Sequence, residues 1–195
     1  MRETPNPRLA SGLAVTVLMA ALLTLPGVHA KGTKSASSKA TPAPRSTAQL
    51  SNAAPSVDAL VGRFMEALEQ KDRAKLQGLR VTESEYLDVI MPGSIEPGKP
   101  LKNYDHHDQA SQYFWGILDT KSRYLEVSLL DKFGGTPLKI KSVKYQRGVK
   151  DYATYRAYKQ LRLLVERSDG TEDELETGSI AEVNGQYKFI SFIHD

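Results

Sequence analysis

Titratable side chains crowd together at one place in the sequence, Tyr104-Asp105-His106-His107-Asp108. A histidine beside a carboxylate has the parts of a general base: the acid fixes the imidazole tautomer, and the ring takes up a proton near neutral pH. His106, His107 and Asp108 are therefore the candidate catalytic residues. The competing reading is structural, because Asp105 and Asp108 fall in the first turn of an expected helix, where acids stabilise the N-terminus. Metal is not expected here. A helical chelate needs histidines four residues apart, and Ala110 and Ser111 occupy the positions that would partner His106 and His107. His194 is penultimate and reads as part of an exposed terminus. No cofactor is expected.

Aromatic residues form a second group. Tyr145, Tyr152, Tyr155, Tyr158 and Tyr187 fall on expected strands, and Tyr113, Phe114 and Trp115 on an expected helix. Gathered around one cavity they would give an apolar lining with hydroxyl handles. Distributed over a sheet they are core and cross-strand packing. Charges form a third pattern: residues 139–162 hold eight bases and one acid, residues 166–176 six acids and one base. If the turn Ser168-Asp169-Gly170 sets Arg162 opposite Glu176, the two runs become ladders of cross-strand ion pairs.

The elements that must position these residues are legible in the periodicity. Pro55-Ser56 supplies a stop and an N-cap, and Val57, Leu60, Val61, Phe64, Met65 and Leu68 repeat as one helical stripe. Asp72 caps a short second helix, and Thr82-Glu83-Ser84-Glu85 is a capping box opening a third, which Pro92-Gly93 ends. Residues 91–103 read as loop. A longer helix follows, with Ala110, Tyr113, Phe114, Ile117 and Leu118 as its apolar stripe, continued more weakly by Leu125 and Leu129, and Asp119-Thr120 as a point where it would divide. Gly134-Gly135 closes it.

The period then falls to two. Strands are expected over 138–145, 152–167, 174–183 and 186–193, the second also admitting a helical reading through Tyr155, Tyr158, Leu161 and Val165. Asn184-Gly185 is a strong hairpin signal, since both central residues of the favoured turn need positive φ. It pairs Val183 with Gln186 and Ile180 with Phe189. The run Phe189-Ile190-Ser191-Phe192-Ile193 is apolar on both faces, as in a strand covered on both sides.

Ahead of this domain, Arg2 and Arg8, an apolar run over 9–25, Pro26-Gly27 and Val28-His29-Ala30 have the layout of a secretory signal peptide over residues 1–30. The alternative is an uncleaved anchor. Either reading implies export, to a bacterial periplasm or the medium. Residues 31–56 read as a disordered Ser/Ala/Pro linker. The absence of cysteine excludes a disulfide framework and thiol chemistry. Six of the 26 Lys and Arg, against one of the 23 acids, precede residue 57, so the domain carries 20 bases and 22 acids. That balance gives no footprint for nucleic acid.

This order of elements resembles the nuclear transport factor 2-like superfamily, in its polyketide-cyclase-like branch. The resemblance rests on the first helix, Val57-Asp-Ala-Leu-Val-Gly-Arg-Phe-Met-Glu-Ala-Leu68, on Lys71-Asp72-Arg-Ala-Lys-Leu76, and on the ending Ile180-Ala-Glu-Val-Asn-Gly-Gln-Tyr-Lys-Phe-Ile190. Tyr187 stands where the family often has Trp. The resemblance implies an α+β cone over 57–195, in which N-terminal helices pack on a strongly curved antiparallel sheet and a pocket opens at one end. Tyr113, Trp115, Tyr155, Tyr158, Tyr187 and Phe189 are the candidate lining of that pocket. The family implies no single activity. The first expectation is a noncatalytic domain that binds a small apolar molecule or forms a homodimer through its sheet. The alternatives are a cofactor-free isomerase or dehydratase using a His–Asp pair, and an envelope protein-interaction domain.

Overall fold

The computed structural model describes residues 48–101 and 105–193. The expected signal peptide, most of the expected linker, Tyr104 and His194 lie outside the described residues. Helix α1 (Val57–Glu69) starts at Ser56, whose hydroxyl accepts from the Ala59 amide, and buries Leu60, Val61, Phe64, Ala67 and Leu68. Helix α2 (Arg73–Gly78) starts at Asp72, which caps the Lys75 amide. Helix α3 (Glu83–Glu85) carries the reciprocal capping box between Thr82 and Glu85. The chain then widens into a π-helical turn (Tyr86–Ile90) and finishes as α4 (Met91–Gly93). The helical stretch that begins at Glu83 runs without a break to Gly93 and stops there, at the Pro92-Gly93 pair.

Helix α5 (Gln109–Phe133) is a single element of 25 residues, uninterrupted at Asp119-Thr120. Its phase differs from the expectation in the first half, whereas Leu125 and Leu129 of the expected stripe do pack in the core. Tyr113, Phe114 and Ile117 of the expected core stripe are 67%, 59% and 37% exposed, whereas Ser122, Glu126, Leu129 and Phe133 are buried. The buried stripe tolerates its polar members because each has a partner. Glu126 meets Arg80, and the Ser122 hydroxyl accepts from the Phe192 amide.

Seven strands follow: β1 (Leu138–Tyr145), β2 (Val149–Asp151), β3 (Arg156–Tyr158), β4 (Leu161–Arg167), β5 (Glu172–Glu176), β6 (Ile180–Val183) and β7 (Gln186–Phe189). They form two open antiparallel sheets, ordered β1-β4-β5 and β2-β3-β6-β7. The fold class is α+β, as expected. The alternation that runs through 152–167 and through 174–183 is divided in each case between the two sheets. One break is at Gln160, with φ of 56°, and the other at Thr177-Gly178-Ser179. The breaks face each other, since the Leu161 amide donates to the Gly178 carbonyl and the Thr177 amide to the Leu161 carbonyl. A side chain on Gly178 would lie 2.5 Å from the carbonyl oxygens of Ile193 and Ser191. Both strands therefore change sheet at one crossing that only glycine fits.

The turns behave as the sequence requires. Asn184 and Gly185 have φ of 52° and 77°, and the register pairs Val183 with Gln186 and Ile180 with Phe189. The Ser168-Asp169-Gly170 turn sets Arg162 opposite Glu176.

The four-stranded sheet is covered on both faces. Ile180 and Phe189 point into the α1 core, where Phe64, Phe189 and Phe192 pack with centroids 5.2–5.7 Å apart. Ala157, Ala181 and Val183 point the other way, onto Leu50, Val81, Val89 and Ile90. Leu50 and Ala54 are buried, and Ala54 exchanges both backbone hydrogen bonds with Tyr187. Residues 48–56, expected as linker, therefore belong to the fold, because one leucine and one alanine fit a groove beside β7.

Candidate functional site

The histidine cluster separates into structural and surface roles. Asp108 is the N-cap of α5 and accepts from the Ser111 amide at 2.7 Å, which holds its carboxyl below the usual aspartate range. His107 does meet a carboxylate, but that of Asp88, at 2.7 Å. This hydrogen bond raises the imidazole pKa, and both side chains are about half exposed. His106 is half-buried, and its charge contributes to holding the Asp108 carboxyl low. Among the described residues no three His, Asp or Glu side chains are grouped as a metal would require.

The six aromatic candidates do not share one cavity. Phe189 is core. Tyr158 and Tyr187 pack with Tyr145 on the α1 face of the four-stranded sheet. There burial, and then the hydrogen bond that Tyr158 donates to Glu182, push the Tyr158 hydroxyl up to about 12. Tyr155 lies on the opposite face, stacked on Tyr152 at 4.8 Å. Trp115 packs on Tyr86 at 5.3 Å, and Tyr113 points to solvent.

Two clefts lie against the first half of α5, a part of the helix that contributes no buried residue. The first, of about 280 Å³, is lined by Tyr86, Ile90, Leu118, Tyr152, Tyr155, Ala157 and Ile190, with Ser94, Lys159, Ser179 and Ser191 as its polar members. Its floor is fixed from below. Gly93 is buried where a Cβ would collide with the Thr154 side chain, and the Gly93 carbonyl accepts from the Ala153 amide. That close approach brings the Ser94 hydroxyl to 2.8 Å from the Tyr155 hydroxyl. Burial raises the pKa of the Tyr86 hydroxyl, which therefore stays a protonated donor. Among the described residues no carboxylate lines this cleft.

The second cleft, of about 440 Å³, is polar and lies on the Trp115 side. Two buried ion pairs border it, and sequence reasoning found neither. Lys188 of β7 points away from the α1 core, opposite Ala181, whose small side chain leaves room for the stem. Its ammonium donates to Glu85 at 2.8 Å, and the same carboxylate accepts from the Thr82 amide and the Ser51 hydroxyl. Burial pushes the Glu85 carboxyl up, but the bonds from Lys188, Thr82 and Ser51 together outweigh it and leave it below its ordinary value.

Arg80, also buried, donates to Glu126 and to Asp119, both at 3.1 Å, while Gln77 donates to the other Glu126 oxygen. The only advance signal was the spacing of Asp119, Ser122 and Glu126 with Leu129 and Phe133, one polar-to-apolar stripe along a helix. Compared with known proteins, the chain matches no family model, no curated protein and no solved structure.

Proposed function

We propose that the domain is a noncatalytic binding module that takes a small, largely planar apolar molecule bearing a hydrogen-bond acceptor. The cleft between Tyr86, Leu118 and the Tyr152–Tyr155 stack is the site. One observation carries the reading: the Ser94–Tyr155 hydroxyl pair stands in a wall that is otherwise aromatic and aliphatic. Such a lining desolvates a flat ligand while a few polar groups orient it. Its volume suits a ligand of about one or two rings. Among the described residues Lys159 is the single cation on the wall, so a neutral or monoanionic ligand fits and a cation does not.

The reading agrees with the resemblance to the nuclear transport factor 2-like superfamily, in which the two sheets meeting at Gln160 and Gly178 would form the cone and this cleft its open end. Export of the domain belongs to the same proposal. Catalysis by His107 is less well supported, because its partner Asp88 is as exposed as the imidazole itself.

Trp115 is the only tryptophan in the chain and packs on Tyr86 of the cleft wall, so its fluorescence reports occupancy. Titration of the purified chain with benzamide and with benzoate, two ligands of one shape and different charge, tests the proposal. The expected result is a saturable change for at least one ligand, with affinity reduced about tenfold in Tyr152→Ala, equivalent to roughly 1.4 kcal/mol. A response that does not saturate, or equal affinity in a folded Tyr152→Ala protein, overturns it.

A further inference from the structure

The outer face of α5 carries an arrangement that ligand binding does not use. Tyr113, Ile117, Thr120, Tyr124 and Val127 are spaced four, three, four and three residues apart, which is the seam of a coiled coil. Every one of them is exposed. Tyr124 is 77% exposed and stands out from the helix as a knob. Four to eleven residues before it, Tyr113, Gly116, Ile117 and Thr120 surround a hollow of about 400 Å³, with Lys121 at its rim. Those four positions are i, i+3, i+4 and i+7, the diamond that receives a knob from a facing helix. A Cβ on Gly116 would meet nothing within 4 Å, so the hollow is open to an incoming side chain.

We propose that two copies of this chain dock α5 against α5 in antiparallel fashion, each Tyr124 entering the other copy's hollow at Gly116. Knob and hollow are placed so that one two-fold axis near Thr120 satisfies both insertions at once, as an isologous interface requires. A parallel pair sets Tyr124 beside its own copy and leaves the hollow empty. Antiparallel packing also apposes opposite ends of the helix dipoles. The area suffices: the exposed parts of Tyr113, Phe114 and Tyr124 amount to on the order of 400 Å² per copy. With Ile117, Val127 and the rims, the pair reaches roughly 1,000 Å² in total, the lower bound of a specific interface.

The test is the mass of the purified full chain by sedimentation, with three variants. The wild type is expected to be a dimer. Tyr124→Ala removes the knob and is expected to be monomeric. Gly116→Leu fills the hollow while improving helix propensity, so loss of the dimer with unchanged or raised melting temperature identifies the hollow and not the fold. The chain has no cysteine, so Thr120→Cys gives a single thiol near the axis and is expected to form a disulfide dimer. Ser128→Cys, whose two copies would stand about 23 Å apart along the axis, is expected not to cross-link. A monomeric wild type, a dimer that survives both packing variants, equal cross-linking at 120 and 128, or a monomer that instead binds lipid vesicles through Tyr124 overturns the proposal.

Discussion

The interior beside α5 and the outer face of the three-stranded sheet are both built from ion pairs, and they hold the fold by opposite means. On the sheet, Arg162 bridges Glu174 and Glu176 across β4 and β5, and Lys141 of β1 bonds Glu166 of β4, all partly exposed and all between neighbouring strands. Beside α5, Lys188 meets Glu85 and Arg80 meets Glu126 with almost no solvent contact. Surface pairs gain little because water screens them and ordering long side chains opposes them. Buried pairs are different. Their net worth against an apolar replacement is small, but losing one partner strands the other in a medium that solvates it poorly. The lesson is that the interior pairs specify which elements meet, whereas the surface pairs decorate registers set by backbone pairing, that of β4 with β5 by the Ser168-Asp169-Gly170 turn.

The largest effect is expected from Glu126→Ala. It leaves Arg80 with Asp119 alone and removes the acceptor of Gln77, so destabilisation of about 3–5 kcal/mol is expected in denaturant unfolding. Lys188→Met comes next, near the lower end of that range, because Glu85 keeps the Thr82 amide and Ser51. The double change Lys188→Met with Glu85→Gln, which removes the charge and keeps an acceptor oxygen for Thr82 or Ser51, is expected to recover much of that loss. A double variant as unstable as the sum of the two single ones would break the distinction between a pair's net worth and the penalty of orphaning one member.

Acid sharpens the same contrast. The folded-state pKa of Glu85 lies below its unfolded value, so its contribution is full above the ordinary glutamate range and is lost as pH falls through the folded value. Other carboxylates held low, such as Asp108 and Asp173, add to the acid loss. The informative quantity is therefore the difference between wild type and Glu85→Gln: the variant is expected to be less stable at neutral pH and to lose less on acidification, read as melting temperature against pH. Parallel curves would remove Glu85 from the account.

How much of this was legible in the sequence follows from the range over which each feature is determined. The caps at Ser56, Asp72 and Thr82 and the turn at Asn184-Gly185 are set by residues a few positions apart, and the structure keeps them. The Arg162–Glu176 pairing followed from one turn. By contrast, Glu85 and Lys188 are 103 positions apart, and Lys188 in Gln-Tyr-Lys-Phe reads as a solvent-facing residue of an alternating strand. The division of the sheets was hidden because alternation continues through Lys159-Gln160 and Thr177-Gly178-Ser179, and only the crossing hydrogen bonds reveal it. The phase of α5 was hidden for a different reason. In its first half an apolar stripe is present, and the rule that such a stripe faces the chain's own core selected the wrong side there, although Leu125 and Leu129 do face the core.

The smallest expected effect completes the contrast. Arg162→Ala removes the guanidinium that bridges Glu174 and Glu176, yet the β4–β5 register rests on backbone ladders and on Leu163 and Val165, which are buried behind it. The exposed pairs each contribute about 0.2–1 kcal/mol, and salt should erode that further. Unfolding of Arg162→Ala in denaturant, at low and at high salt, is therefore expected to differ from wild type by less than about 1 kcal/mol at low salt and by still less at high salt. Glu126→Ala should keep its full deficit at both salt concentrations, because ions do not reach a carboxylate with no exposed surface. A salt-insensitive loss at Arg162 as large as that at Glu126 would mean that the ladder, and not the interior pairing, fixes how the strands meet.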